Sequence, residues 1–331
     1  MRIALIYNQP VPSTYDTRGE STAEIGVMDA VAAVHCALVI KGHEVTELPI
    51  KPPLADAIDA LAAVEADAIF NLFEGFAGQP ESEAAMAGLL EQTGLPFTGS
   101  LSRTLALTLD KSAVHQLLQS QGLRTPRFQL LTPDLLDSFN LSFPCIVKPA
   151  ADDASHGLSA KSVVFYPADL TREINLLHSD YPGVPALIEE FLNGREFNAT
   201  VWGGSSPRVL PISEIIYTLP PGQPNILTFA AKWEPESDYY RHTAVECPAR
   251  LDPILEQQIQ TAAMTAFCAA GCRGYARIDL RLDQDGNPVI LEINANPDLS
   301  PNAGVARQAA ASGMTYDQLV TGIVNFAMEA V

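Results

Sequence analysis

Over residues 2–98 the chain alternates short apolar runs with longer helix-like stretches, and few folds accept that order. Residues 2–7 read as a buried strand, 22–40 as an Ala/Val-rich helix ended by Lys41-Gly42-His43, and 45–49 as a second strand. A helix over 54–65, a strand over 68–72, a helix over 81–93 and a short strand at 94–98 continue the pattern. Strands alternating with helices point to parallel pairing, because parallel neighbours need a crossover connection, which a helix supplies. The expected product is an open parallel sheet covered on both faces.

After Gly99 the character changes. Helix-like residues 103–121 lead to a strand at 143–149, a polar loop at 150–157, a strand at 162–166, a helix at 169–178 and a strand at 186–191. Strands dominate from 195, with a polar excursion at 220–243, a long helix near 252–270, a hairpin over 274–293 and a helix near 315–329. A chain of 331 residues exceeds what one core usually fills, so two or three domains are expected.

A formal charge of -19 argues against nucleic acid or an anionic membrane as the main partner. It leaves nucleotides open, since a local group of cations can hold phosphates. No apolar run reaches bilayer length, and the opening residues form a strand-like run rather than a signal peptide. Cys36, Cys145, Cys247, Cys268 and Cys272 have no metal or redox spacing. A cytoplasmic protein with small-molecule partners is the expectation.

The strongest chemical unit is the hairpin. Its first strand carries Arg277 and Asp279, its second Glu292 and Asn294, and the turn-forming residues 283–287 join them. Two carboxylates and an amide oxygen side by side suit a hard divalent cation such as magnesium. Arg277 alternates with Asp279, so both point to one face. The plainer alternative is a hairpin with a polar outer face. Lys111, Lys148 and Lys232 are candidate phosphate contacts, although single lysines are commonly surface groups. Lys148 has the best context, ending an apolar strand before a loop that holds Asp152, Asp153, Ser155, His156 and Gly157. Glu189 and Glu190 follow Leu187-Ile188 and precede Phe191-Leu192, so one acid can face inward and would then need a donor. His156 and His242 could touch substrate or be ordinary surface residues. There is no G-x-x-x-x-G-K-[ST], no dinucleotide fingerprint and no G-x-S-x-G elbow.

Taken together, these residues resemble the ATP-grasp superfamily, and within it the D-alanine–D-alanine ligase family. The likeness rests on Leu109-Asp110-Lys111, Ile146-Val147-Lys148-Pro149, the run from Ile188 to Phe197, the region of Lys232, Ala276-Arg277-Ile278-Asp279 and Leu291-Glu292-Ile293-Asn294. Phe70 to Gly75, Gln79 to Ser82 and Leu95 to Ser100 resemble the family's N-terminal domain. The resemblance implies an α/β and α+β multidomain chain: an open parallel α/β domain at 1–99, a central ATP-grasp subdomain at 100–192 and a C-terminal one at 193–331. It implies that Lys111 and Lys148 contact ATP phosphates, with Lys232 closing over them. Glu189 would sit near the adenine amino group, the backbone of Glu190 and Leu192 would read the adenine edge, and Glu196 would bind ribose. Asp279, Glu292 and Asn294 would hold two magnesium ions, which manganese can replace. Arg277, Lys232 and Ser155 are the implied catalytic group, and a homodimer is the implied assembly. The family reaction activates a carboxylate as an acyl phosphate, which an amine then attacks.

Several positions depart from the family's pattern. The segment Asn8-Gln9-Pro10-Val11-Pro12-Ser13 stands where Gly-Gly-x-Ser-x-Glu is usual, and Glu20 and Glu24 are the nearby acids that could replace its glutamate. Ala154 replaces the first of two loop serines, leaving Ser155 and His156. Trp233 stands for a tyrosine, Asp298 for a glycine and Ala303 for a serine. These changes lead to the expectation of an ATP-dependent carboxylate–amine ligase acting chiefly on substrates other than two D-alanines. The alternatives are a genuine D-alanine–D-alanine ligase, a carboxylate kinase, and a non-catalytic nucleotide-binding module.

Overall fold

In a computed structural model, the structure describes residues 1–9, 20–76, 78–150, 158–228, 230–231 and 234–329, with the backbone alone for 20–26. Three sheets organise these residues.

The first sheet contains β1 (Arg2–Asn8), β2 (Glu44–Ile50) and β3 (Ala68–Leu72) in the order β2-β1-β3, all parallel. Successive side chains of β1 enter two different cores. Ala4 and Ile6 pack with Ile69, Phe73, Met86, Leu90 and Phe97 under α2 (Ala57–Ala63) and α3 (Glu81–Thr93). Ile3, Leu5 and Tyr7 pack with Val31, Val34 and Leu38 of α1 (Glu20–Ile40). The expected strand at 94–98 is reduced to one parallel bridge, Ile69 to Phe97, with Pro96 offering no N–H to a ladder.

The second core also receives Leu319, Val320, Ile323 and Val324 from the C-terminal helix Tyr316–Glu329. The first and last segments of the chain therefore share one interior. Ile323→Ala is expected to cost about 2–4 kcal/mol. A matching drop in thermal midpoint, monitored on the whole chain, checks that the C-terminal helix is part of this core.

The expected helix at 103–121 is two helices, α4 (Ser102–Leu109) and α5 (Lys111–Ser120). Asp110 breaks it, with φ −85 and ψ 92, and its carboxylate accepts from Ala113 N at 3.0 Å and Ser112 Oγ at 2.7 Å. An aspartate in this role satisfies the free N–H groups of a new helix start. It also sets Lys111 at the first position of α5.

The second sheet is antiparallel, in the order β4 (Phe128–Leu131), β7 (Ala186–Glu190), β5 (Cys145–Pro149), β6 (Val163–Val164). Only two residues of the expected strand at 162–166 pair. Leu170 and Ile174 of α6 (Pro167–Asp180) cover one face against Val147, Val164 and Ile188.

The third sheet runs in the order β11 (Thr243–Glu246), β10 (Ser213–Tyr217), β8 (Glu196–Gly203), β12 (Gly274–Leu282), β13 (Pro288–Asn294), with β9 (Arg208–Val209) on β8. The helix Pro253–Ala270 lies on one face, where Ile259, Ala263 and Ala266 meet Ala276, Ile278, Leu280, Ile290 and Ile293. Ile290 and Ile293 are three apart, yet both face this helix. A bulge explains it: Asp279 pairs with Glu292 while Leu280 pairs with Ile290, so Leu291 is the extra residue. Leu291 and Glu292 are consequently both turned to the opposite face.

Candidate active site

The opposite face of the third sheet and one end of the second flank a cleft open to solvent, about 970 Å³ including its open mouth. Lys111, Lys148, Glu189, Glu190, Leu192 and Glu196 line it together with Arg277, Asp279 and Glu292. Nine candidate residues that are far apart in sequence thus meet in one cavity. Asn294 lines a smaller adjoining cavity, which it shares with Glu292 and Lys111. The side chains of Glu20 and Glu24, and all of Ser155, His156, Lys232 and Trp233, lie outside the described residues.

On the second sheet, Glu189 is 1% exposed and faces inward, whereas Glu190 is half-buried and pairs with Arg127 at 3.2 Å. Lys148, 9% exposed, places Nζ 2.7 Å from Glu189 Oε2. The other oxygen, Oε1, is 2.7 Å from His115 Nε2. Buried His115 was not singled out in the sequence, although it lies four residues beyond Lys111 on α5. Its Nδ1 has no partner among the described residues. Burial pushes the Glu189 carboxyl up, but Lys148 and His115 outweigh it and hold it at about 2.

The sign of the linked stability follows. The ionised Glu189 contributes fully above its ordinary value of 4.5, and the contribution is lost as pH falls through about 2. Glu189→Gln is expected to be less stable than the parent at neutral pH, with the gap narrowing as pH is lowered through that window. Urea unfolding across the acid range checks this.

On the third sheet, Arg277 donates from Nε and Nη2 to the two carboxylate oxygens of Asp279, each at 2.8 Å. Asn198 Nδ2 adds a bond to Asp279 Oδ1 at 2.7 Å. The Asp279 pKa is nonetheless raised: burial is the largest cause, Glu292 across the ladder adds to it, and Arg277 only partly offsets them. Asn294 pairs in register with Arg277, and its Oδ1 accepts from Asn296 N at 3.2 Å. Two carboxylates and an amide oxygen are a donor set for a hard cation, and the raised Asp279 pKa marks a place where more positive charge is favoured.

Glu196 accepts on Oε2 from Tyr217 Oη at 2.7 Å and from Arg281. Tyr217, Asn198 and Arg281 were also missed in the sequence. Arg281 had a readable signal, as the third member of the alternating series 277, 279, 281.

Asp298 and Ala303 are not brought into the cleft. Asp298 is exposed, and its Oδ1 accepts from Ser300 N at 2.7 Å and Ser300 Oγ at 2.6 Å. Ala303 precedes the helix Gly304–Ala311. Gly304 lies against Arg277, since a Cβ added there would be 3.6 Å from Arg277 Cδ.

A parallel α/β unit followed by two antiparallel sheets, with cations and carboxylates converging between them, defines an ATP-grasp enzyme. The family pattern described as "D-ala D-ala ligase C-terminus" matches residues 117–325. An uncharacterized protein of Sinorhizobium fredii, y4sG, is 34% identical over 78% of this chain and 74% of its own length. The D-alanine–D-alanine ligase of Alcanivorax borkumensis is 32% identical over 94% of this chain and 92% of its own. That of Cupriavidus metallidurans is also 32% identical, over 86% and 83%. In fold, the chain is similar to the D-alanine–D-alanine ligase of Bacillus anthracis complexed with ATP. Their TM-score is 0.76 at 23% identity, covering 100% of this chain and 97% of that one. The chain belongs to the D-alanine–D-alanine ligase family and is an ATP-dependent carbon–nitrogen ligase. Among the described residues no helix is long and apolar enough to cross a membrane.

Proposed function

We propose that the protein joins two D-alanine molecules, with ATP activating the first. The observation that carries the chemistry is the convergence of Lys111, Lys148, Glu189, Arg277, Asp279 and Glu292 on one cleft. The substrate assignment draws on curated relatives described as D-alanine–D-alanine ligases, two of which align over 86% and 94% of this chain. These relatives favour the genuine ligase over the expectation of a different substrate. Of the altered positions, Asp298 and Ala303 do not line the cleft.

In this reading Lys111 and Lys148 bind phosphate oxygens. Glu189, held by His115, receives the adenine amino group. The Leu192 carbonyl already accepts from Arg281 at 2.5 Å, so this residue would offer its N–H to the base edge. Asp279, Glu292 and Asn294 would hold magnesium, two ions in the full proposal, with manganese as a substitute. Bound there, the ions would neutralise charge on the phosphates. A carboxylate oxygen of the first substrate attacks the γ-phosphorus and ADP leaves. The amine of the second attacks the acyl carbon, phosphate leaves and an amide remains. Arg277, beside the carboxylate pair and the helix that begins at Gly304, would stabilise the developing oxyanion.

The test is ADP release and product mass with ATP, magnesium and D-alanine as sole amino acid. D-alanyl-D-alanine is the expected product. No turnover with D-alanine, alongside turnover with another carboxylate–amine pair, would overturn the substrate assignment. That second reading is favoured by Asn8, whose Oδ1 accepts from Glu74 N at 3.2 Å at the end of β1, where the family's glycine-rich segment is usual. A homodimer belongs to the same proposal, and light scattering on the purified chain tests it.

A further inference from the structure

Arg281 has no part in the chemistry above, yet it is the most deeply buried cation among the described residues, at 4% exposed. A guanidinium is costly to desolvate unless its donors are met. Here the two Nη groups are met, while the equally buried Nε has no partner among the described residues. Nη1 donates to Leu192 O at 2.5 Å, and Nη2 donates to Asn225 O at 2.6 Å and to Glu196 Oε2. The ring of Phe191 lies 5.6 Å from the guanidinium carbon and that of Tyr217 lies 5.8 Å from it. Leu192, Glu196 and Ile226, the neighbour of Asn225, all line the cleft.

The consequence falls on Glu196. Arg281 and Tyr217 both donate to Oε2, and among the described residues no donor engages Oε1. Register fixes the arrangement, since Arg281 pairs directly with Glu196 across β12 and β8. The result is a carboxylate immobilised through one oxygen, with the other left as an acceptor. A vicinal diol carries the complementary donors.

We propose that Arg281 is a specificity-determining positioning residue: by clamping Oε2 of Glu196 it aims Oε1 at the ribose hydroxyls of a nucleoside triphosphate, and so sets a preference for ribonucleotides over deoxyribonucleotides. This rests on the nucleotide reading of the cleft given above. Arg281 acts through Glu196 and through the carbonyls it ties down, without entering the phosphate chemistry.

Calorimetric titration of the full chain with ATP, 2′-deoxy-ATP and 3′-deoxy-ATP tests it, because binding is read without turnover. The parent is expected to favour ATP over the weaker deoxynucleotide by about tenfold or more, the value of a hydrogen bond to a charged group. Arg281→Lys keeps the charge and loses the fork, and should bring the ratio within about threefold. In a Glu196→Gln background, Arg281→Lys should change the ratio no further. An unchanged ratio in Arg281→Lys overturns the proposal, as does an equal effect of the lysine in both backgrounds. If Arg281→Lys does not fold, Tyr217→Phe removes the second donor to Oε2 without altering charge. The ratio should then fall, and a parental ratio again overturns the proposal. Failure to bind any adenine nucleotide sinks this proposal together with the nucleotide reading. Tight ATP binding with an unaltered ratio sinks this proposal alone.

Discussion

Arg277→Met is expected to lower turnover by about a hundredfold to a thousandfold, the range for removing one preorganised donor from developing negative charge. Steady-state ADP release at saturating substrates reads this, and calorimetry reads ATP binding separately. The proposed role requires a loss in kcat larger than any loss in nucleotide affinity. An equal loss in both would place Arg277 in ground-state binding instead. The variant also removes the bidentate partner of Asp279, whose pKa burial already raises, so Asp279 should hold its proton to higher pH. A shift of the acid limb of the turnover profile toward higher pH in Arg277→Lys, which keeps the charge but not the fork, follows from that geometry.

Lys148→Met should be the most destabilising single change in the site. The lysine is 2.7 Å from a glutamate that is 1% exposed, and methionine would leave that carboxylate with His115 as its only charged-capable partner among the described residues. Breaking a buried pair by removing one member typically costs about 3–5 kcal/mol. Denaturant unfolding at neutral pH measures this loss, and nucleotide affinity should fall with it. The double variant Lys148→Met, Glu189→Gln should recover part of the stability, because the stranded charge is then gone. It should not recover nucleotide affinity, since the phosphate contact and the base-facing carboxylate are both lost.

The two sites of change illustrate which physical signals reach the sequence. Asp279, Glu292 and Asn294 were readable because a short turn joins their strands, so pairing is local and spacing implies adjacency. Lys148 and Glu189 were each readable as polar interruptions of apolar strands. Their ion pair was not, because it depends on β5 lying beside β7 across a long connection. His115 was hidden for a different reason. On a helix face it resembles any amphipathic position, and only the approach of the second sheet makes it a partner for Glu189. The break at Asp110 has a local cause, a capping aspartate, yet the apolar periodicity of 103–121 masked it. The joining of the C-terminal helix to the first sheet had no local cause at all, because Leu319 and Ile323 spell an ordinary amphipathic helix whichever core receives them.

The bulge in β13 has a further consequence for the cleft. Strict alternation through Ile290, Leu291 and Glu292 would bury the glutamate under the helix with Ile290. Omitting Leu291 altogether would restore a regular ladder in which Glu292 still faced the cavity and Ile290 and Ile293 still faced the helix. The extra residue therefore does not aim the acid. What it contributes is hydrocarbon: Leu291 lines the cleft immediately beside Glu292. An apolar wall next to a carboxylate pair excludes water from one side of it and lowers the local dielectric. Each charge that arrives there, cation or phosphate, is felt more strongly than on an ordinary sheet face.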